Sequence, residues 1–192
     1  MAIKSNLKNM VLVLTAVCLI CSAVLAGVYS LTKAPIDKAA ADKTNNAISL
    51  VVPAFDNTEK ATVTAGGKEY SYYRAVKDGE TVGYAVESST VGFGGTLSLM
   101  VGITPDGKVF NTSVLSHSET PGLGAKCTTD ETFMAQWKGF DPSVKSFKVK
   151  KDGGDVDAIT ASTITSRAYA DAVSNAVDAF REITAGEGVN NE

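Results

Sequence analysis

The sequence predicts an α+β chain: a single N-terminal transmembrane helix followed by one domain in which an antiparallel sheet is flanked by helices. Three observations carry that expectation. An uncharged apolar run fills residues 10–31. Strand-like stretches separated by tight-turn signals occupy residues 60–115. A helical apolar period follows a hydroxyl-rich segment at residues 157–166.

The apolar run reads M-V-L-V-L-T-A-V-C-L-I-C-S-A-V-L-A-G-V-Y-S-L, with no charge between Lys8 and Lys33. About 20 apolar residues span a bilayer core, so the run is long enough. A cleaved leader is the rival reading, because Val-Leu-Ala precedes Gly27. Leader cores run about 7–15 residues, and the longer run here favours a retained helix. Lys4, Lys8 and the amino terminus place residues 1–9 on the cytoplasmic side and the large domain outside. The expectation is a single-pass protein of the cytoplasmic (inner) membrane, with its domain on the extracytoplasmic, periplasmic face.

The net charge is −3, and all 21 acidic residues lie beyond the apolar run. That balance argues against nucleic acid, which needs a basic stripe. Cys18 and Cys21 fall inside the membrane run and read as packing residues, and Cys127 stands alone in the domain. No C-x-x-C-H is present, and one His with three scattered Cys makes no zinc or iron–sulfur ligand set.

Residues 32–60 read as a stalk helix and linker, opening near Pro35 and broken at Pro53. The domain proper is expected at 61–185. Its strand candidates are 69–76, 81–88, 96–103 and 108–115, with hairpins at Asp78-Gly79 and Asp106-Gly107. The cluster Gly-Phe-Gly-Gly at 92–95 is no dinucleotide fingerprint, since it follows no βα unit. Residues 130–140 read as a short helix with Phe133, Met134 and Trp137 on one core-facing side, and 144–151 as a further strand.

Two loops carry the chemistry. S-H-S-E-T-P-G-L-G (116–124) holds the only His of the chain beside a Pro-Gly turn. It is either a polar surface loop or a loop that brings backbone close to a ligand. D-A-I-T-A-S-T-I-T-S (157–166) precedes a helix whose apolar face is Ile164, Ala168, Ala172, Val173, Ala176, Val177 and Phe180, with Gly186 as its stop and 186–192 as a loose tail. The hydroxyls of Thr160, Ser162, Thr163 and Thr165 sit at that helix start. One of them is enough for an N-cap; a phosphate at the free amides is the sharper reading.

Together these residues resemble the FMN-binding domain family. D-A-I-T-A-S-T resembles the family's flavin-attachment motif, with Ala161 where Gly is usual and Ser162 where Ala is usual. His117–Gly124 resembles its H-x-E-T-P-G-L-G loop, and 92–109 its glycine-started strand pair. The resemblance implies FMN bound covalently to Thr163 through a phosphoester. It places Asp157, Thr160, Ala161, Ser162, Thr165, His117, Glu119, Thr120, Gly122, Leu123 and Gly124 around that flavin, with no metal. With the anchor included, the order of features is most similar to the G subunits of Rnf-type complexes, which are relatives of the C subunits of sodium-pumping NADH:quinone reductases.

That similarity implies an electron-transfer subunit of a complex coupling electron flow between ferredoxin and NAD to Na⁺ or H⁺ translocation. It implies other membrane subunits of the Rnf complex as partners, a flavin transferase for maturation, and no activity alone. Two other functions compete. One is a stand-alone extracytoplasmic flavin electron donor. The other is a membrane-anchored interaction domain whose motif carries no flavin.

Overall fold

Strands joined by tight turns pair with their sequence neighbours, and the sheet is a meander. In the computed structural model, which describes residues 6–189, the strands are β1 (Asn57–Ala65), β2 (Lys68–Lys77), β3 (Glu80–Val91), β4 (Thr96–Ile103) and β5 (Val109–Ser116). Every pair is antiparallel, and the order across the sheet is β1-β2-β3-β4-β5. The helices are α1 (Leu7–Val51), α2 (Glu131–Ala135) and α3 (Thr163–Val189).

The chain divides into two units, the second beginning at Lys43. Among the described residues, the first is the helical stretch 7–42, whose side chains are exposed throughout. Its best window has a mean hydropathy of 2.7, and it is long and apolar enough to cross a membrane. Lys4 lies outside the described residues. Pro35 is inside α1 rather than at a helix start. A proline there removes one helical hydrogen bond, and the helix formers on both sides carry the helix through it.

In the second unit the sheet buries both faces, as the period of two dictates. Val86, Leu99 and Val101 point to the side covered by α3, in a core that includes Trp137, Tyr169, Val173 and Phe180. Ala75, Ala85 and Met100 point the other way and meet Ala47, Ile48, Val51 and Val52. The end of α1 is therefore part of the domain's packing. The chain turns away before Pro53, which disfavours helix at the residue preceding it.

Asp78 (φ 52°) and Gly79 (φ 85°) make the expected two-residue hairpin, with left-handed backbone at both positions. At the second expected hairpin, Gly107 N donates to Thr104 O at 2.8 Å. The sequence reading does not include β1. Its N-T-E-K-A-T-V-T-A is mostly exposed and alternates only over Ala61, Val63 and Ala65, so pairing with β2 defines its length.

Three other expectations are corrected. Residues 144–151 form no strand. The chain folds back through Gly153 and Gly154 instead, with Lys150 N donating to Val156 O at 2.8 Å and a 3-10 turn at Lys150–Asp152. A Cβ on Gly154 would lie 2.0 Å from Lys148 O, so that close return needs glycine. The short helix ends at Ala135 rather than near 140; Asp130 caps it by accepting from Phe133 N, while Phe133 and Trp137 are buried and Met134 is half-buried. Finally, α3 runs through Gly186 to Val189, and Ile164 is 51% exposed, outside the buried face.

Candidate functional site

Three chain segments converge where α3 begins. The β3–β4 turn brings Phe93, the loop after β5 brings Glu119, Thr120, Leu123 and Gly124, and the chain entering α3 brings Ala161–Thr165. They line a cleft of about 340 Å³. Hollows of about 770 and 570 Å³ lie elsewhere, but no sequence-predicted site residue lines either.

Glu119 ties the three segments together. It is 5% exposed, and its Oε2 accepts from the Thr165 hydroxyl at 2.7 Å. Its Oε1 accepts from Gly94 N at 3.4 Å. Glycines leave room for this carboxylate: a Cβ on Gly92 would lie 1.9 Å from Oε1, and one on Gly124 would lie 2.3 Å from Oε2. Pro121 and Gly122 shape the loop as a type II turn, with Gly122 at φ 76° and Leu123 N donating to Thr120 O at 3.2 Å. Cys127 is buried beside this carboxylate, and burial first, then the Glu119 charge, push its thiol up to about 11. It is protonated and unreactive near neutral pH.

The entry to α3 is held by Ser166. Its hydroxyl donates to Ser162 O at 3.0 Å and accepts from Ile159 N at 2.9 Å. Among the described residues, none of the hydroxyls of Thr160, Ser162, Thr163 and Thr165 accepts from a helix amide, so side-chain capping does not account for them. The amides of Thr163, Ile164 and Thr165 have no backbone acceptor there either. Ser162 is 6% exposed, and its Oγ has no hydrogen-bond partner. Thr163 is half-buried on the cleft wall. One side of the cleft is thus a set of unsatisfied donors at the positive end of a helix dipole. Its rim is apolar, with Phe93 69% exposed, Leu123 45% and Ile164 51%.

Ala161 adopts φ 61° in the turn before the helix. That left-handed backbone costs an L-residue roughly 1–2 kcal/mol. Ala161→Gly is expected to raise the unfolding free energy by about 1 kcal/mol, net of glycine's looser unfolded chain, as a higher denaturation midpoint.

Of the residues singled out in the sequence, the fold brings Glu119, Thr120, Leu123, Gly124, Ala161, Ser162, Thr163 and Thr165 together at the cleft. The others stand outside its lining. Asp157 pairs with Lys150 at 2.8 Å, and its backbone N and O bond the Gln136 side chain. Thr160 is exposed. His117 Nδ1 accepts from Glu119 N at 3.2 Å and so braces the loop from behind. Gly122 serves the turn. Sequence reasoning missed Phe93, Ile164, Ser166 and the role of the 92–95 glycines; the G-F-G-G cluster was the available signal.

Residues 92–178 match the FMN-binding domain family. The chain is 34% identical over 177 residues to the G subunit of the proton-translocating ferredoxin:NAD(+) oxidoreductase complex of Clostridium ljungdahlii, covering 91% of each chain. It is 34% identical over 184 residues to the G subunit of the ion-translocating oxidoreductase complex of Methanosarcina acetivorans, covering 93% of this chain and 96% of the relative. Among solved structures, NqrC of Shewanella oneidensis aligns with a TM-score of 0.48 at 22% identity, covering 70% of each chain.

Proposed function

The chain belongs to the family of G subunits of ion-translocating oxidoreductase complexes, and on that footing we propose that it carries FMN covalently on Thr163 and passes electrons between partner subunits outside the cytoplasmic membrane. The coarser part follows from membership: this is an electron-transfer subunit with an FMN-binding domain. The attachment rests on one observation. A half-buried Thr hydroxyl stands at a helix N-terminus where three amides and the Ser162 hydroxyl lack partners.

These residues fit the cofactor. The amides of Thr163–Thr165 would hold the phosphodiester charge, each favourable helix-end charge interaction being worth about 0.3–1 kcal/mol. Ser162 Oγ would donate to a phosphate oxygen. Phe93, Leu123 and Ile164 offer apolar surface to a planar ring and exclude water from its face. When bound, the flavin supplies one-electron transfer; the chain supplies orientation and electrostatics.

No base within the cleft contacts the Thr163 hydroxyl among the described residues, so attachment needs an external catalyst. A flavin transferase acting on FAD with Mg²⁺ fills that role. The Thr163 hydroxyl loses its proton, its oxygen bonds the FMN phosphorus, the pyrophosphate bond breaks and AMP leaves. The apolar stretch of α1 anchors the chain, and other membrane subunits of the Rnf complex are the electron donor and acceptor. The translocated ion, Na⁺ or H⁺, belongs to the whole assembly.

The test is in-gel flavin fluorescence after denaturing electrophoresis, on protein produced with its flavin transferase. Wild type is expected to fluoresce and Thr163→Ala to be dark, with a stability within about 0.5 kcal/mol of wild type, since the side chain is only half-buried. A fluorescent Thr163→Ala band would move the attachment elsewhere. A dark wild type would overturn covalent binding.

A further inference from the structure

Strands β2 and β3 part company before they end. Their ladder begins at Tyr72↔Val86, yet β2 starts at Lys68 and β3 runs on to Val91. On their outer sides both arms are paired. Residues 68–71 bond to β1, and residues 87–91 bond to β4. On their inner sides neither arm has a strand partner among the described residues. The sheet is forked there, and the fork opens into the hollow of about 770 Å³, walled on one side by Asp171, Ser174 and Asn175 of α3.

Unpaired strand edges are templates for another strand, and two facing edges make a slot for one. A second observation points into the same slot. Ser88 lines it, is 2% exposed, and its Oγ has no hydrogen-bond partner. A buried hydroxyl without a partner is costly unless something completes it. The charge of the slot selects the occupant. Glu69, Glu87 and Asp171 line it against the one cation Lys68, and none of the four makes an ion pair among the described residues.

We propose that the β2–β3 fork receives an extended, basic segment of another subunit, which pairs as an inserted strand with 68–71 on one side and 87–91 on the other. The inference rests on the reading of the chain as a subunit of a membrane complex. Its placement has a consequence for that reading. Val91 and Thr96 line the fork, and Phe93, in the turn between them, lines the site at Thr163. The inserted segment therefore seats its own subunit beside the turn that borders the flavin cleft.

The test compares amide hydrogen exchange of the full-length chain alone with that of the same chain in the intact complex purified from membranes. Fork-facing amides in 68–71 and 87–91 exchange quickly in the chain alone and are expected to slow about tenfold or more in the complex. The double variant Glu87→Lys with Asp171→Lys is expected to recover about tenfold less complex, with an unchanged unfolding midpoint. Unchanged exchange in an intact complex overturns the fork assignment and leaves the reading as a complex member standing. Slow fork exchange already present in the isolated chain also overturns it, because the occupant is then a second copy or the chain itself. A wild-type chain that recovers no partner overturns both readings.

Discussion

Glu119→Ala is expected to lower the unfolding free energy by about 2–4 kcal/mol and to deplete bound flavin. The carboxylate is 5% exposed and accepts from the Thr165 hydroxyl and the Gly94 amide. Removing it leaves the buried Thr165 hydroxyl unpaired, frees the exposed Gly94 amide from its weak bond, and empties the volume that Gly92 and Gly124 leave open. Each orphaned buried group costs about 1–3 kcal/mol. Glu119→Gln is the informative partner. It keeps one acceptor oxygen for Gly94 N, and its amide donates to a Thr165 hydroxyl that rotates to accept, so its expected loss is only about 1 kcal/mol. Denaturant unfolding of the detergent-solubilised chain, followed by fluorescence of Trp137, measures both variants. Trp137 is the only tryptophan and is fully buried against Tyr169. Equal midpoints for wild type and Glu119→Ala would refute the assignment of Glu119 as the tie between the three segments.

Gly102→Ala is expected to be at least as damaging, at about 3 kcal/mol or more. Gly102 points to the side of the sheet that carries Val51 and Val52, and a Cβ there would lie 1.5 Å from Val51 O and 2.4 Å from Val51 C. Both atoms are backbone, so no rotamer change relieves the clash. The segment carrying Ala47, Ile48 and Val51 must lift from Ala75, Ala85 and Met100. Gly83→Ala supplies the internal control. Its Cβ would stand 3.3 Å from Ile103 O and from Pro53 Cδ, a tight but tolerable approach, and about 1 kcal/mol is expected. The same Trp137 unfolding curve reads both. Similar losses for the two variants would mean that the 43–51 segment yields easily and contributes little to the domain.

Much of the fold is legible because its signals are local. The Asp78-Gly79 and Asp106-Gly107 turns need left-handed or tight backbone that few residue types supply, and the alternation in 96–103 places Leu99 and Val101 opposite Met100. The helix after residue 163 is visible in its apolar period from Ala168 onward. The errors share one cause. Residues 144–151 read like a strand but make only an isolated bridge from Val149 to Val156, while 57–65, with only a short alternation at Ala61, Val63 and Ala65, find an edge at β2. A strand exists only when another strand accepts its hydrogen bonds, which is a tertiary fact.

The candidate site divides the same way. Ser/Thr enrichment before a helix, a Pro-Gly turn and an acidic residue beside it were all present in the residue order, where they allow either a helix cap or a phosphate; Thr163 as the attachment position came from the family resemblance. By itself the sequence determined the long apolar helix, the antiparallel order of four of the five strands, and the two polar loops that meet at the cleft, because period, turn chemistry and composition act over a few neighbours. Only the tertiary structure decided that Glu119 reaches Thr165 across 46 positions, that Phe93 shares the cleft, and that Ala161 sits at φ 61° before the helix. It alone decided that Asp157 turns to Lys150, because long-range packing determines which donor meets which acceptor.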